Sequence, residues 1–164
     1  MNQKLIECVP NFSEGRDMAV IRQITDEIES VDGVKLLDVD PGKATNRTVV
    51  TFVGTPDAVV DAAYKAIVKA GELIDMSKHK GEHARMGATD VCPFIPVANI
   101  SMEETAEFAI KLAKRVGENT DIPVYLYGAS QPNTKRNVLS IIRQGEYEGF
   151  FDKIKQPEWK PDFG

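Results

Sequence analysis

From Asp17 to Glu29 apolar side chains recur at Val20, Ile21, Ile24 and Ile28, a spacing that gathers them on one face of a helix. A second helix is predicted from Thr55, whose hydroxyl can cap it, with Pro56 tolerated at the first helical position, to about Ile74. A third opens on an S-x-x-E capping box, Ser101 and Glu104, and runs to about Glu118 with Phe108, Leu112, Ala113 and Val116 facing inward. Between these stretches the pattern changes to short strands. Lys4 to Val9 is an apolar run ended by Pro10, and the polar turn NFSEGR follows. Gly33 opens VKLLDVD, strand-like through Asp40, and PGKATN turns the chain into the β-branched RTVVTFVG, a hairpin with a longer loop. Thr89 to Val97 is apolar but holds Pro93 and Pro96, which cannot donate to a ladder, so an edge or irregular strand is expected there. Pro123 to Tyr127 reads as a further strand, and a helical pattern returns around Val138 to Arg143. The order βαββαβαβα predicts an α/β (α+β-like) domain: a mixed sheet of about five or six strands with helices packed on it.

Composition narrows the function classes. A chain of 164 residues, 42% hydrophobic and 27% charged, can bury one substantial core. Its formal net charge of -5 argues against a broad electropositive face, so no nucleic-acid partner is expected. The N-terminus lacks the basic and apolar regions of a signal peptide, and no apolar run is long enough to span a bilayer; a cytoplasmic protein with no membrane partner is expected. Cys8 and Cys92 lie in apolar strand contexts, which fits buried reduced thiols and leaves a reactive cysteine or a disulfide as the alternatives. The final QPEWKPDFG has no periodicity but carries Trp159 and Phe163; it either docks on the body or leads toward something further, and the second is the expectation.

The chemistry concentrates in KHKGEHARMGATDVCPF, residues 78–94, which contains both histidines of the chain, His79 and His83. HKGEH matches the H-x-x-E-H string of one class of zinc peptidases, but Gly81 lies inside the would-be helix and no apolar face supports it, so no metal site is expected. Lys78, Lys80 and Arg85 outnumber Glu82, and such a loop suits an anionic substrate with a histidine as proton carrier. A second polar cluster lies at the hairpin turn, DVDPGKATNR: Asp38 and Asp40 share a face at a strand end, and Asn46 and Arg47 start the returning strand. Acidic turn formers and a hairpin salt bridge are the plain alternative for these residues.

Six strings carry a resemblance: ECVPNFSEGR at 7–16, LLDVDPGKATNRTVVTFVG at 36–54, LIDMSKHKGEHARMGATDVCPFIPV at 73–97, PVYLYG at 123–128, RQGEYEG at 143–149 and PDFG at 161–164. In order and over essentially the whole chain, they resemble the glutamate formiminotransferase family, in its N-terminal transferase subdomain, which in animals is fused to a cyclodeaminase. The resemblance implies transfer of a formimino group from N-formiminoglutamate to N5 of tetrahydrofolate as co-substrate. It places the catalytic histidine of the family's GEHPRMGA string on His83, with Ala84 where the family often has proline, and the strand-end aspartate on Asp40. Asp40 suits a cationic amidine, while Arg47, Arg85 and Lys80, with Asn46 nearby, can hold substrate carboxylates. The family's folate-contacting stretch begins near the position of Gly164. Residues 1–155 then correspond to the subdomain and 156–164 to a tail leading toward a second subdomain, supplied by further chain or by a partner; homo-oligomerisation is also expected. Two other readings stay open: a non-catalytic folate or amino-acid binding module, and one subunit of a split transferase. Formyl transfer is chemically close to the main reading.

Overall fold

The computed structural model describes residues 3–81, 86–131 and 138–164. Asp17 starts α1 (Met18–Glu29) by accepting from the backbone N–H groups of Ala19 and Val20, and Ile21, Ile24 and Ile28 are its buried apolar stripe. α2 (Pro56–Leu73) begins on its proline as expected, but the Thr55 hydroxyl makes no capping bond. α3 (Met102–Asn119) carries half of its capping box: the Ser101 hydroxyl accepts from the Glu104 N–H, while the Glu104 carboxylate pairs with Lys4.

Six strands form one antiparallel sheet: β1 (Leu5–Cys8), β2 (Asn11–Phe12), β3 (Val34–Gly42), β4 (Arg47–Gly54), β5 (Thr89–Val91) and β6 (Phe94–Ala98). β4 is central, with β3 on one side and β1 and β2, end to end, on the other; β6 pairs with β1 and β5 with β2. The result is two interleaved β-α-β units. Alternation along the strands sends Ile6, Cys8, Val50 and Phe52 to the helix side, where Ile24, Ile28, Val59, Ala62, Ala63, Ala66, Leu112 and Val116 complete the core. The run of alanines in α2 lets that helix approach the sheet closely. Among the described residues no helix packs on the opposite face, and Ile95 and Val97 of β6 lie 41% and 52% exposed on it.

A register shift between Leu36 and Asp38 resets the parity of β3. Before it Val34 and Leu36 are the half-buried positions, and after it Val39 is, so Asp38 and Asp40 both stand exposed on the helix-free face. The predicted strand over Thr89 to Val97 divides at Cys92 and Pro93 into β5 and β6, both on the edge that its prolines require.

One expectation is corrected. Pro123 to Tyr127 is not a strand: only Val124 makes a β-bridge, and its partner is Phe163 of the tail. Pro123 cannot donate, and the next backbone N–H groups are taken by the tail: Val124 N–H donates to the Phe163 carbonyl and Leu126 N–H to the Asp162 carboxylate. The tail is accordingly docked on the body. Trp159 packs edge-on to Tyr125, whose hydroxyl donates to the Trp159 carbonyl, and a β-carbon at Gly117 of α3 would lie 2.6 Å from that of Phe163. The helical pattern around Val138 to Arg143 is α4 (Leu139–Arg143), and a further helix, α5 (Glu146–Lys153), follows it after Gly145, which lies in the left-handed region at φ 92°.

Candidate functional site

Three polar turns meet at one corner of the sheet: SEGR after β2, the β3–β4 hairpin, and HKG before residues 82–85. Asn46 joins all three. It sits buried in the left-handed region at φ 50°, a conformation asparagine tolerates. Its side-chain oxygen accepts from Gly15 N–H at 2.9 Å, its side-chain nitrogen donates to the Lys80 carbonyl at 3.1 Å, and its own carbonyl meets His79 Nε2 at 2.8 Å. The approach is close enough to dictate glycine twice. A β-carbon on Gly81 would lie 2.1 Å from the Thr45 carbonyl oxygen, and one on Gly15 would lie 2.1 Å from that of Gly42. Gly81 thus serves chain packing against the hairpin, and His79, buried with Nε2 against a backbone carbonyl, is a structural histidine.

Arg47 and Asp90 hold the other side. The Arg47 guanidinium donates from Nε to the Asn11 side-chain oxygen at 2.9 Å and from Nη1 to Asp90 at 2.8 Å. Asp90 has a fully buried side chain; it also accepts from Met86 N–H and pairs with Arg143 Nη2 at 2.6 Å. One carboxylate therefore ties β4, the segment entering β5 and the end of α4 together. Burial lowers the Arg47 pKa, the Asp90 hydrogen bond and charge oppose that, and the neighbouring Arg143 charge adds to the lowering. Ser13, also buried, donates its hydroxyl to the Gly87 carbonyl at 2.7 Å and its N–H to Ala88 at 2.8 Å. The chain on both sides of residues 82–85 is in this way fixed: residues 79–81 by Asn46, residues 86–88 by Asp90 and Ser13.

Asp40 faces Val49 across the β3–β4 ladder, and Val49 faces Asn11 on its other side; Gly42 faces Arg47. Asp40 is exposed and lies diagonal to Arg47 at the hairpin end. The Lys80 side chain is exposed at the same corner, as are Arg16, whose Nε donates to the Lys43 carbonyl, and Lys43 itself. His83 and Arg85 lie outside the described residues. Gly164 is elsewhere, at φ 84° against the Ile122 carbonyl at the end of the docked tail. The structure thus brings Asp40, Asn46, Arg47 and Lys80 to one corner and leaves Gly164 away from their hydrogen-bond network.

Asp90, Arg143, Ser13 and Arg16 escaped the sequence reading as site residues. In the sequence Asp90 lies within an apolar strand pattern, and its signal is that of a lone acid amid Thr89, Val91 and Cys92. Arg143 is far along the chain, and nothing local marks its pairing.

A family model described as the formiminotransferase domain, N-terminal subdomain, matches residues 5–164. The chain is 55% identical over 161 residues to a formimidoyltransferase-cyclodeaminase of Dictyostelium discoideum and 56% to that of Gallus gallus, covering 98% of this chain and 30% of each relative. It is 49% identical over 162 residues to a glutamate formimidoyltransferase of Thermoplasma acidophilum, of which it covers 54%. The chain therefore spans from about a third to about half of the length of these relatives.

Proposed function

The chain belongs to the formiminotransferase family, as its N-terminal subdomain, and from that premise we propose that it supplies the acid–base half of a transferase moving a formimino group from N-formiminoglutamate to tetrahydrofolate. The N5 amine attacks the formimino carbon, forming a carbon–nitrogen bond and a tetrahedral intermediate; the bond to the glutamate nitrogen then breaks. The proton leaving N5 must reach that departing amine, and one histidine with its ordinary pKa of about 6.5 can take it and return it. His83 fills this role. Asp40 stabilises the charge on the protonated amidine, and Arg47, Arg85 and Lys80 bind carboxylates of glutamate or of the folate tail. Asn46, with its amide already bonded to Gly15 and Lys80, positions this corner. Gly164 begins the stretch that continues to the folate.

The observation that carries the proposal is the convergence of Asp40, Asn46, Arg47 and Lys80 at one corner, where a carboxylate for a cationic amidine stands beside cations for substrate carboxylates. The helix-free sheet face, with Ile95, Val97 and Leu37 exposed, is the surface offered to the remaining half of the transferase. The fraction of each relative that the chain covers favours a second form of the same reading, in which transfer requires that other half.

The test is a transfer assay on the chain alone and with the C-terminal half of a relative supplied as a separate chain, alongside His83→Ala. Transfer that depends on His83, with an unchanged circular dichroism spectrum in the variant, is expected. A fully active His83→Ala would sink the assignment. Binding of a reduced folate without transfer, even with the second half present, would favour the binding module instead.

A further inference from the structure

Cys8 ends β1 and Cys92 lies in the link between β5 and β6, 84 positions later, yet their sulfurs stand 3.5 Å apart as free thiols. They are the two cysteines of the chain. The sheet register brings them together. Cys8 faces Phe94 across β1 and β6, and Asn11 faces Val91 across β2 and β5, so the link Cys92–Pro93 runs beside Val9 and Pro10, where the Val9 N–H donates to the Pro93 carbonyl. Cys8 belongs to the core on the helix side, and Cys92 packs against that same core. Their surroundings differ. Cys8 is wholly buried, and burial, with the Cys92 contact next, pushes its thiol well above the ordinary range, so it stays protonated. Cys92 is half-buried and borders a mostly apolar cavity of about 260 Å3 on the helix side. An oxidant therefore meets Cys92 first, with Cys8 in contact behind it.

We propose that Cys8 and Cys92 are a modification site, a dithiol that a small peroxide closes to a reversible disulfide. Cys92, as thiolate, attacks one peroxide oxygen: the sulfur–oxygen bond forms, the oxygen–oxygen bond breaks, and the departing hydroxide takes the Cys92 proton as water. The Cys8 sulfur then attacks the Cys92 sulfur of the resulting sulfenic acid. The sulfur–sulfur bond forms, the sulfur–oxygen bond breaks, and the Cys8 proton leaves with the hydroxide as a second water. Two thiols thus give two hydrogens and two electrons to one peroxide. A disulfide is about 2.05 Å long, so the sulfurs approach by about 1.5 Å from their 3.5 Å contact. That movement falls on Cys92 and Pro93, which belong to neither strand, and spares Cys8 in the core. A small uncharged oxidant suits a half-buried sulfur among apolar walls, whereas a bulky charged disulfide does not. The pair lies on the opposite side of the sheet from Asp40, so its test does not depend on the transferase reading.

The test exposes the 164-residue chain to hydrogen peroxide, then unfolds it, labels remaining thiols with iodoacetamide and maps its peptides by mass. Label uptake should fall from two thiols to none, and a joined peptide holding Cys8 and Cys92 should weigh about 2 Da less than its two parts, the two thiol hydrogens. Dithiothreitol should restore both labels. Oxidised glutathione at the same concentration should close the pair at least roughly tenfold more slowly, because access limits it. Cys8→Ser keeps the shape and removes the second sulfur, and Cys92 should then gain about 32 Da as sulfinic acid. Oxygen uptake at Cys92 of the parent chain in place of the bridge, a bridge between two chains, or two thiols still open to label after peroxide would each overturn the proposal, and none of these readouts requires a variant to fold. Equal closure by oxidised glutathione would overturn the assignment to a small oxidant.

Discussion

Asn46 shows how much one side chain can organise. Its amide satisfies one backbone group from each of two neighbouring turns, and its backbone occupies a left-handed conformation that costs most residues about 1 kcal/mol. Asn46→Gly removes the amide and keeps the conformation; Asn46→Ala removes both. Urea unfolding should therefore place the glycine variant about 1 to 2 kcal/mol below the parent and the alanine variant about 1 kcal/mol lower still. Equal losses would mean that the left-handed backbone costs nothing here. Asp90 is a harder case, since two guanidiniums share its buried carboxylate. Asp90→Ala leaves buried charge uncompensated and should cost about 3 to 5 kcal/mol by the same measurement. Tyr127 sets a pH dependence. Burial, aided by the Cys92 and Cys8 thiols, pushes its phenol up to about 12 from an ordinary 10. The folded state thus holds the proton more tightly than the unfolded chain: the stabilisation is complete below pH 10 and is lost as pH rises toward 12. Between those values the parent should lose about 2 to 3 kcal/mol that Tyr127→Phe does not lose, read from paired denaturant curves.

Elements differ in how far local pattern decides them. α1, α2 and α3 were legible within a residue or so of their ends because each has an apolar stripe and a starting signal in its own sequence. The hairpin and the edge character of Thr89 to Val97 were legible from β-branched runs and prolines. The bulge in β3 was not, since VKLLDVD alternates poorly by itself and its parity is fixed only by β4. Nor was the fate of Pro123 to Tyr127, because its partner, Phe163, is nearly forty residues away and in a segment with no periodicity. α5 belongs to the same class, whereas α4 shows its helical pattern locally but depends on α5 to hold it. α4 has five residues, too short to persist alone, and its C-terminal carbonyls are held by Lys153 of α5, whose ammonium donates to Ile141, Ile142 and Gln144 and lies 4.0 Å from the Trp159 ring centre. Lys153→Met keeps the aliphatic stem and removes the donor. Hydrogen exchange should quicken across residues 139–164 and stay unchanged in β4, with a stability loss of about 1 to 2 kcal/mol; uniform acceleration would show that α4, α5 and the tail are not a separable unit.

At the scale of the molecule, the decisive asymmetry among the described residues is that the helices cover one face of the sheet and none packs on the other. A sheet with one solvated face ordinarily alternates apolar and polar residues cleanly. This one does so along β3, where Asp38 and Asp40 point outward, but breaks the rule along β6, where Ile95 and Val97 are exposed. Apolar groups placed there add little to the isolated fold, because they bury little. They matter if a second body covers them, and at about 25 cal/mol per Å2 a few such residues supply much of an interface core. Ile95→Lys together with Val97→Lys should then change the unfolding free energy of this chain by no more than about 0.5 kcal/mol, as surface substitutions do. On the proposed reading, the same pair should prevent reconstitution with the C-terminal half of a relative, measured by co-elution and by transfer activity in the mixture. Loss of reconstitution with unchanged stability assigns the face to the partner half. A large loss of stability would show that the two side chains serve the fold itself, and undisturbed reconstitution would place the partner elsewhere on the surface.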